Sequence, residues 1–178
     1  NQWNEKGSVH FAWHQPQRLG AEQLLDAVSQ ITETSEAFAS TIAEPYTRLP
    51  MGHRATQLAD GNISVPFLEL FGRPTRDAAY ERERSSIPSM WQTLYLVNSD
   101  QLEGKVVGSP RIRRLIQTGK SDAEIIEEIY LATLSRLPNA EEKQKVTEYI
   151  AKDKNARPQA IGDLVWAIMN TKEFLFNH

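Results

Sequence analysis

The feature that most constrains this chain is a succession of capped, helix-periodic segments in its C-terminal third. Ser121-Asp122-Ala123-Glu124 reads as a capping box: the Ser hydroxyl accepts from a first-turn N–H and the Glu carboxylate reaches back to the N–H of the cap. Ile125, Ile126, Ile129, Tyr130, Thr133 and Leu134 follow on one helical face, and Pro138 ends the pattern after Leu137. Asn139 with Glu142 starts a second helix whose inward face is Val146, Tyr149 and Ile150. A junction of about two residues makes these neighbours in a helical hairpin. A third helix opens near Pro158, which suits the first turn, and presents Ile161, Leu164, Val165, Ile168 and Met169. Residues 121–176 are therefore expected to form a three-helix unit.

Upstream, Leu24, Leu25, Val28 and Ile31 mark an amphipathic helix that opens after Gly20 and ends near Thr32. Met90 to Val97 and Pro110 to Gln117 read as two more helices, the second closed by Gly119. Between Thr34 and Ser86 periodicity fails. Pro45, Pro50, Gly52, Gly61, Pro66, Gly72 and Pro74 punctuate that stretch, and within it Val65 to Phe71 is regular enough for a short helix. The expected fold is an all-α, irregular helical domain of about six or seven helices. A long irregular excursion separates the first helix from the central ones. The whole of 1–178 is read as one helical domain with an N-terminal arm over 1–15, since no linker composition supports a split near Ser109.

Composition narrows the chemistry. The chain has no cysteine, which excludes disulfides, thiolate catalysis and cysteine-ligated metal. A net charge of −3 gives no general attraction to nucleic acid or to anionic membrane. No apolar run approaches the ~20 residues a membrane-spanning helix needs. Phosphate loops, Gly-rich dinucleotide turns and zincin helices are missing too.

Several strings occur in an order that resembles one family: "PQRLGAEQLLDAVSQIT" (16–32), "GHRATQLADG" (52–61), "PFLELFGRP" (66–74), "YERERSSIPSMWQTLYLVNS" (80–99), "EIYLATLSRLPNAEE" and the terminal "NTKEFLFNH". On these, residues from about Pro16 to His178 resemble the planctomycete domain of unknown function numbered fifteen-fifty-three, also called the PSD domain. The resemblance implies the C-terminal part of a large exported bacterial protein, hence an extracytoplasmic location, periplasmic or secreted. It also implies preceding domains, one of them cytochrome-like. With no cysteine here, no haem or other cofactor is expected in this chain. The start at Asn1, without a methionine, fits an excised or processed product, and "KEFLFNH" fits the family's C-terminal end.

The irregular excursion holds the candidate ligand-binding residues. Arg73 to Arg84 packs four arginines and three acids into twelve residues, and arginine's planar fork suits carboxylate, phosphate or an acidic sugar. The alternative is a self-satisfied ion-pair network that pins the loop. His53, Arg54, Arg73, Arg76, Asp77, Glu81, Arg82 and Arg84 form the candidate set. His53 with Asp60 and Ser64 lacks any nucleophile-elbow signature, so no catalytic residue is assigned. His10 and His14 with Glu5 lie in a segment poorly suited to a helix and make a poor metal site, so no metal is expected. Trp3, Phe11, Trp13 and Tyr46 read as contacts tying the arm to the domain rather than as stacking platforms. Lys105, Arg111, Arg113, Arg114 and Lys120 form a basic patch without interleaved aromatics. It reads as a solvated face rather than a nucleic-acid site, with Glu124, Glu127 and Glu128 as internal partners. The expected role is a non-catalytic interaction or structural module whose partners are other domains of the parent protein or another protein. The alternative is a carbohydrate-binding or carbohydrate-processing component that uses residues 45–86.

Overall fold

The computed structural model describes residues 16–39, 49–58, 63, 65–73, 89–152 and 156–176. Its helices are α1 (Ala21–Thr32), α2 (Pro66–Leu70), α3 (Met90–Asn98), α4 (Asp100–Val107), α5 (Pro110–Gln117), α6 (Asp122–Leu134), α7 (Ala140–Ala151), α8 (Arg157–Met169) and α9 (Lys172–Leu175), with a 3-10 turn at Ala55–Gln57. The domain is all-α.

Two helices organise the packing. The periodic face of α1 places Leu24, Leu25 and Val28 out of contact with water, and the helix lies against the 3-10 turn, α2, α4 and α5. Helix α8 buries Ile161, Leu164, Val165, Ile168 and Met169 against α4, α5, α6, α7 and α9. Helices α4 and α5 thus touch both centres, and one cluster of buried side chains runs from Ala21 to Phe174. Burial of such side chains stabilises by about 1.5–3 kcal/mol each before chain entropy is set against it. Leu19 N–H donates to the Leu175 carbonyl at 2.9 Å, and Arg18 pairs with Phe176 as an antiparallel bridge. The entry to α1 is thereby clasped to the exit of α9.

The capped helices fall where their sequence signals put them. Ser121 and Asn139 each accept from the N3 amide, with Glu124 and Glu142 completing the boxes. Arg136, in the α6–α7 junction, pairs with Glu142 at 2.8 Å and with Glu173 at 2.6 Å and sits over the Tyr130 ring at 5.4 Å. Its hydrogen bonds, with that from the Asn139 amide, hold the Glu142 carboxyl down at about 2. Tyr149 is a correction: it was expected on the inward face of α7, yet it is 46% exposed and its hydroxyl donates to Asp163 on α8 at 2.7 Å. Helices α4 and α9 were not anticipated. Helix α4 is short, carries Gly104 and shares Ser99 with α3; that residue ends α3 and caps α4 by accepting from Leu102 N–H at 3.3 Å.

The C-terminus of α1 is closed by residues far along the chain. Ser109 Oγ donates to the Thr32 carbonyl at 2.8 Å and accepts from Ile112 N–H at 3.2 Å, so one buried hydroxyl joins the end of α1 to the start of α5. Arg111 Nε donates to the Ile31 carbonyl at 2.8 Å. Ser109→Ala removes a cap and leaves a buried carbonyl without its donor, so it should lower the unfolding free energy by about 2 kcal/mol in urea melts. A loss under about 0.5 kcal/mol would show that this junction is not structural.

Candidate functional site

Of the residues singled out in the excursion, the structure brings His53 and Arg54 together and sends Arg73 elsewhere. His53 is half-buried and Arg54 exposed. Both line a recess of about 310 Å³ between the C-terminal half of α1 and the segments around 34–38 and 52–54, with Asp26, Glu33, Glu36 and Arg111 on its walls. The recess exists because Asp26 caps the 3-10 turn from outside. Its carboxylate accepts from Ala55 N–H at 2.7 Å, Thr56 N–H at 3.0 Å and the Thr56 hydroxyl at 2.7 Å. A carboxylate facing first-turn amides satisfies donors that have no partner within their own turn. Gly52, at φ 86°, makes the reversal that carries the chain into this turn, a conformation that costs a residue with a Cβ.

The acids on these walls are already engaged. Glu33 takes Arg114 in a two-toothed contact at 2.6 and 2.7 Å and Arg111 at 3.4 Å. The Arg114 hydrogen bonds hold its carboxyl below the usual range. Glu33 closes α1 at φ 54°, a left-handed conformation uncommon outside glycine. Glu36 pairs with Lys105 at 3.0 Å and accepts from Gln101 Nε2 at 3.2 Å. A general acid needs its pKa raised toward working pH, which is the opposite of what Glu33 experiences.

Arg73 is buried. Its Nε lies 3.4 Å from Glu22 Oε1, and Nη1 donates to the Ile63 carbonyl at 3.2 Å. It ties the turn after α2 to the first turn of α1. Arg76, Asp77, Glu81, Arg82 and Arg84 lie outside the described residues, as do Glu5, His10, His14, Asp60, Ser64, Trp3, Phe11, Trp13 and Tyr46. The basic patch resolves into separate contacts. Lys105, Arg111 and Arg114 pair with Glu36 and Glu33 rather than with the acids of α6, whereas Lys120 does pair with Glu128 on α6. The Arg113 side chain makes no ion pair or hydrogen bond among the described residues and is exposed.

The larger concavity was not foreseen. A groove of about 740 Å³ runs between α4, α5 and α8, and the end of α3 closes it with Val97 and Asn98. Val106, Val107, Ile112, Ile116, Gly162 and Trp166 give it an apolar lining, and Glu103, Arg113 and Asp163 stand among its walls. Beside it α3 carries apolar side chains on its outward side as well as its inward one. Gln92 and Leu96 are buried, while Met90 (78%), Trp91 (67%), Leu94 (47%) and Val97 (45%) are exposed. The sequence signal for this was present: MWQTLYLVN holds no charged residue, and a helix this poor in polar side chains either is enclosed or meets a partner.

Helix α3 is set in place by Gln92 and an aromatic cluster. Gln92 Oε1 accepts from Arg18 Nη1 at 2.6 Å and Ser89 N–H at 3.1 Å, and Nε2 donates to the Leu70 carbonyl at 2.9 Å. Phe67 and Phe71 stack at 4.4 Å, and Tyr95 meets both rings edge-on. Arg18 lies over Phe71 at 5.3 Å and donates to its carbonyl at 2.9 Å.

A family model described as PSD1, protein of unknown function (DUF1553), matches residues 2–150. The match takes in α1 to α7 up to Ile150 and leaves α8 and α9 beyond its end. No curated protein and no solved structure matches the chain.

Asp26→Ala should release the 3-10 turn without unfolding α1. Hydrogen exchange at Ala55 and Thr56 should quicken by more than tenfold, with a loss of about 1 kcal/mol in stability. Unchanged exchange at both amides would show that the turn is held by something other than this carboxylate.

Proposed function

The chain belongs to the PSD1 (DUF1553) family of proteins of unknown function, and we propose that it is a non-catalytic interaction module of a larger exported protein. Its working surface is the exposed stripe of α3 together with the α4–α5–α8 groove. One observation carries the reading: Met90, Trp91, Leu94 and Val97 expose 45–78% of their surface on one side of a helix whose other side is already packed. Scattered exposed apolar residues are ordinary, but a contiguous set that runs into an apolar groove marks a contact surface. The ligands of such a surface are protein segments, in the parent chain or in a separate partner, because its lining is predominantly aliphatic and aromatic. No described helix is long and apolar enough to cross a membrane. An extracytoplasmic setting is part of the proposal and follows from the family resemblance.

A second reading attaches to the recess at His53 and Arg54, whose polar walls suit a hydroxylated ligand such as a polysaccharide unit. The two readings separate experimentally. Under the interaction reading, the purified domain releases no reducing sugar from neutral or sulfated polysaccharides and is silent on a glycan array. Trp91→Ala and Leu94→Ala should leave the melting temperature within about 2 °C of the parent, while buried Leu96→Ala should cost about 2–5 kcal/mol. Turnover abolished by His53→Ala and Arg54→Ala, or stripe variants as destabilising as Leu96→Ala, would overturn the interaction reading.

A further inference from the structure

The anchors exposed on α3 have the spacing that a helix uses to enter a groove. At 100° per residue, Met90, Leu94 and Val97 fall within an arc of about 60°, the i, i+4, i+7 pattern of helix-in-groove recognition. Trp91 flanks them. The stripe ends at Val97, which is itself a wall of the groove, so the chain carries a helical ligand and a receptor side by side on one surface. The exposed apolar area of the stripe with Val107 is on the order of 500 Å², at the upper end for the largest patch of a monomer. A standard interface takes roughly 800 Å² from each partner, and the groove walls supply the remainder.

Charge selects the occupant. Glu103 on α4 and Arg113 on α5 both line the groove, and neither side chain makes an ion pair or hydrogen bond among the described residues. Lys105, Arg111 and Arg114, on the same two helices, all have carboxylate partners. A basic partner helix would satisfy Glu103 and confront Arg113, and an acidic one would do the reverse. Asp163, the third charged wall, already accepts from the Tyr149 hydroxyl and from Gln159 Nε2, which leaves Glu103 and Arg113 as one charge of each sign without a side-chain partner among the described residues. Such a pair is satisfied by its own image, since a two-fold axis brings residue i against j and j against i.

We propose that this face is a self-complementary surface through which two copies of the chain pair. Helix α3 of each copy lies antiparallel against the other, the Met90 end of each enters the opposite groove, and Glu103 of each meets Arg113 of the other. This rests on the interaction-module reading above and names its partner as a second copy. Gly162 leaves the groove floor low where α8 passes Val106. A Cβ built there would touch Val106 Cγ1 at 3.5 Å, so the glycine preserves depth for an entering side chain.

Sedimentation velocity on the purified chain from about 1 to about 200 µM, the range of modest protein–protein affinity, tests the pairing. A concentration-dependent dimer is expected. Leu94→Asp should abolish it while leaving the thermal melt in place, and Gly162→Leu should weaken it by filling the floor. Glu103→Arg and Arg113→Glu should each weaken it at least tenfold. The double variant E103R/R113E should recover to within about threefold of the parent, because the pair is re-formed with its signs exchanged. A monomer throughout, a dimer indifferent to Leu94→Asp, or a double exchange no better than its singles would overturn the proposal. A monomer with thermally silent stripe variants defeats the second copy as occupant and leaves the interaction reading standing, whereas turnover at His53 and Arg54 defeats that reading itself.

Discussion

The structure depends on how the last turn of α1 is satisfied. A helix ends with four carbonyls that have no partner of their own, and here the last two belong to buried residues, Ile31 and Thr32. The Ser29 carbonyl receives Thr34 N–H at 3.0 Å and Gln30 receives Glu33 N–H at 3.4 Å. Ile31 receives Arg111 and Thr32 receives Ser109. Cations at this end also complement the negative pole of the helix. Glu33 then draws Arg111 and Arg114 into an ion cluster, and Lys105 reaches Thr34 and Glu36. Every one of those cations comes from α4 or α5. The polar end of α1 therefore fixes the position of two helices that form walls of the groove, and Glu103 and Arg113, whose side chains have no partner among the described residues, stand out against that pattern.

The opposite end of α1 fixes α3 by a different route. Arg18 precedes the helix and reaches Gln92 and the Phe71 carbonyl, while Glu22 in the first turn pairs with Arg73 after α2. Burial lowers the pKa of the Arg18 guanidinium, which remains charged because arginine starts so high. Such buried polar contacts add little net stability, but they leave few alternative arrangements. They turn the Gln92–Leu96 side of α3 inward, which leaves Met90, Trp91, Leu94 and Val97 on the outward side. The surface proposed for interaction is thus a consequence of how Gln92 is held.

What was legible in the sequence followed the range of the interactions. Capping boxes and period-3.6 stripes are local, and α1, α3, α5, α6, α7 and α8 were placed from them. Helix α4 was hidden because it is short, holds Gly104 and begins at the residue that ends α3. Tyr149 was read inward because periodicity marks an apolar ring and cannot see a carboxylate on the next helix that takes its hydroxyl. The basic patch was seen as a cluster, but its partners Glu33 and Glu36 are more than sixty residues away, and no spacing rule reports them. Arg73 illustrates the same limit: it pairs with Glu22, far back in the sequence on α1. The groove was invisible for the strongest reason, since it is made by the relative placement of four helices.

Native-state hydrogen exchange tests the central claim, that α1 and its far-sequence caps hold the α4 and α5 walls. The amides of Val28, Ile31, Val106 and Leu115 should open only with global unfolding and share one free energy across denaturant concentrations. If α6 to α8 stayed protected while α1 opened separately and left α4 and α5 unchanged, α1 would be an appendage and the account would be contradicted.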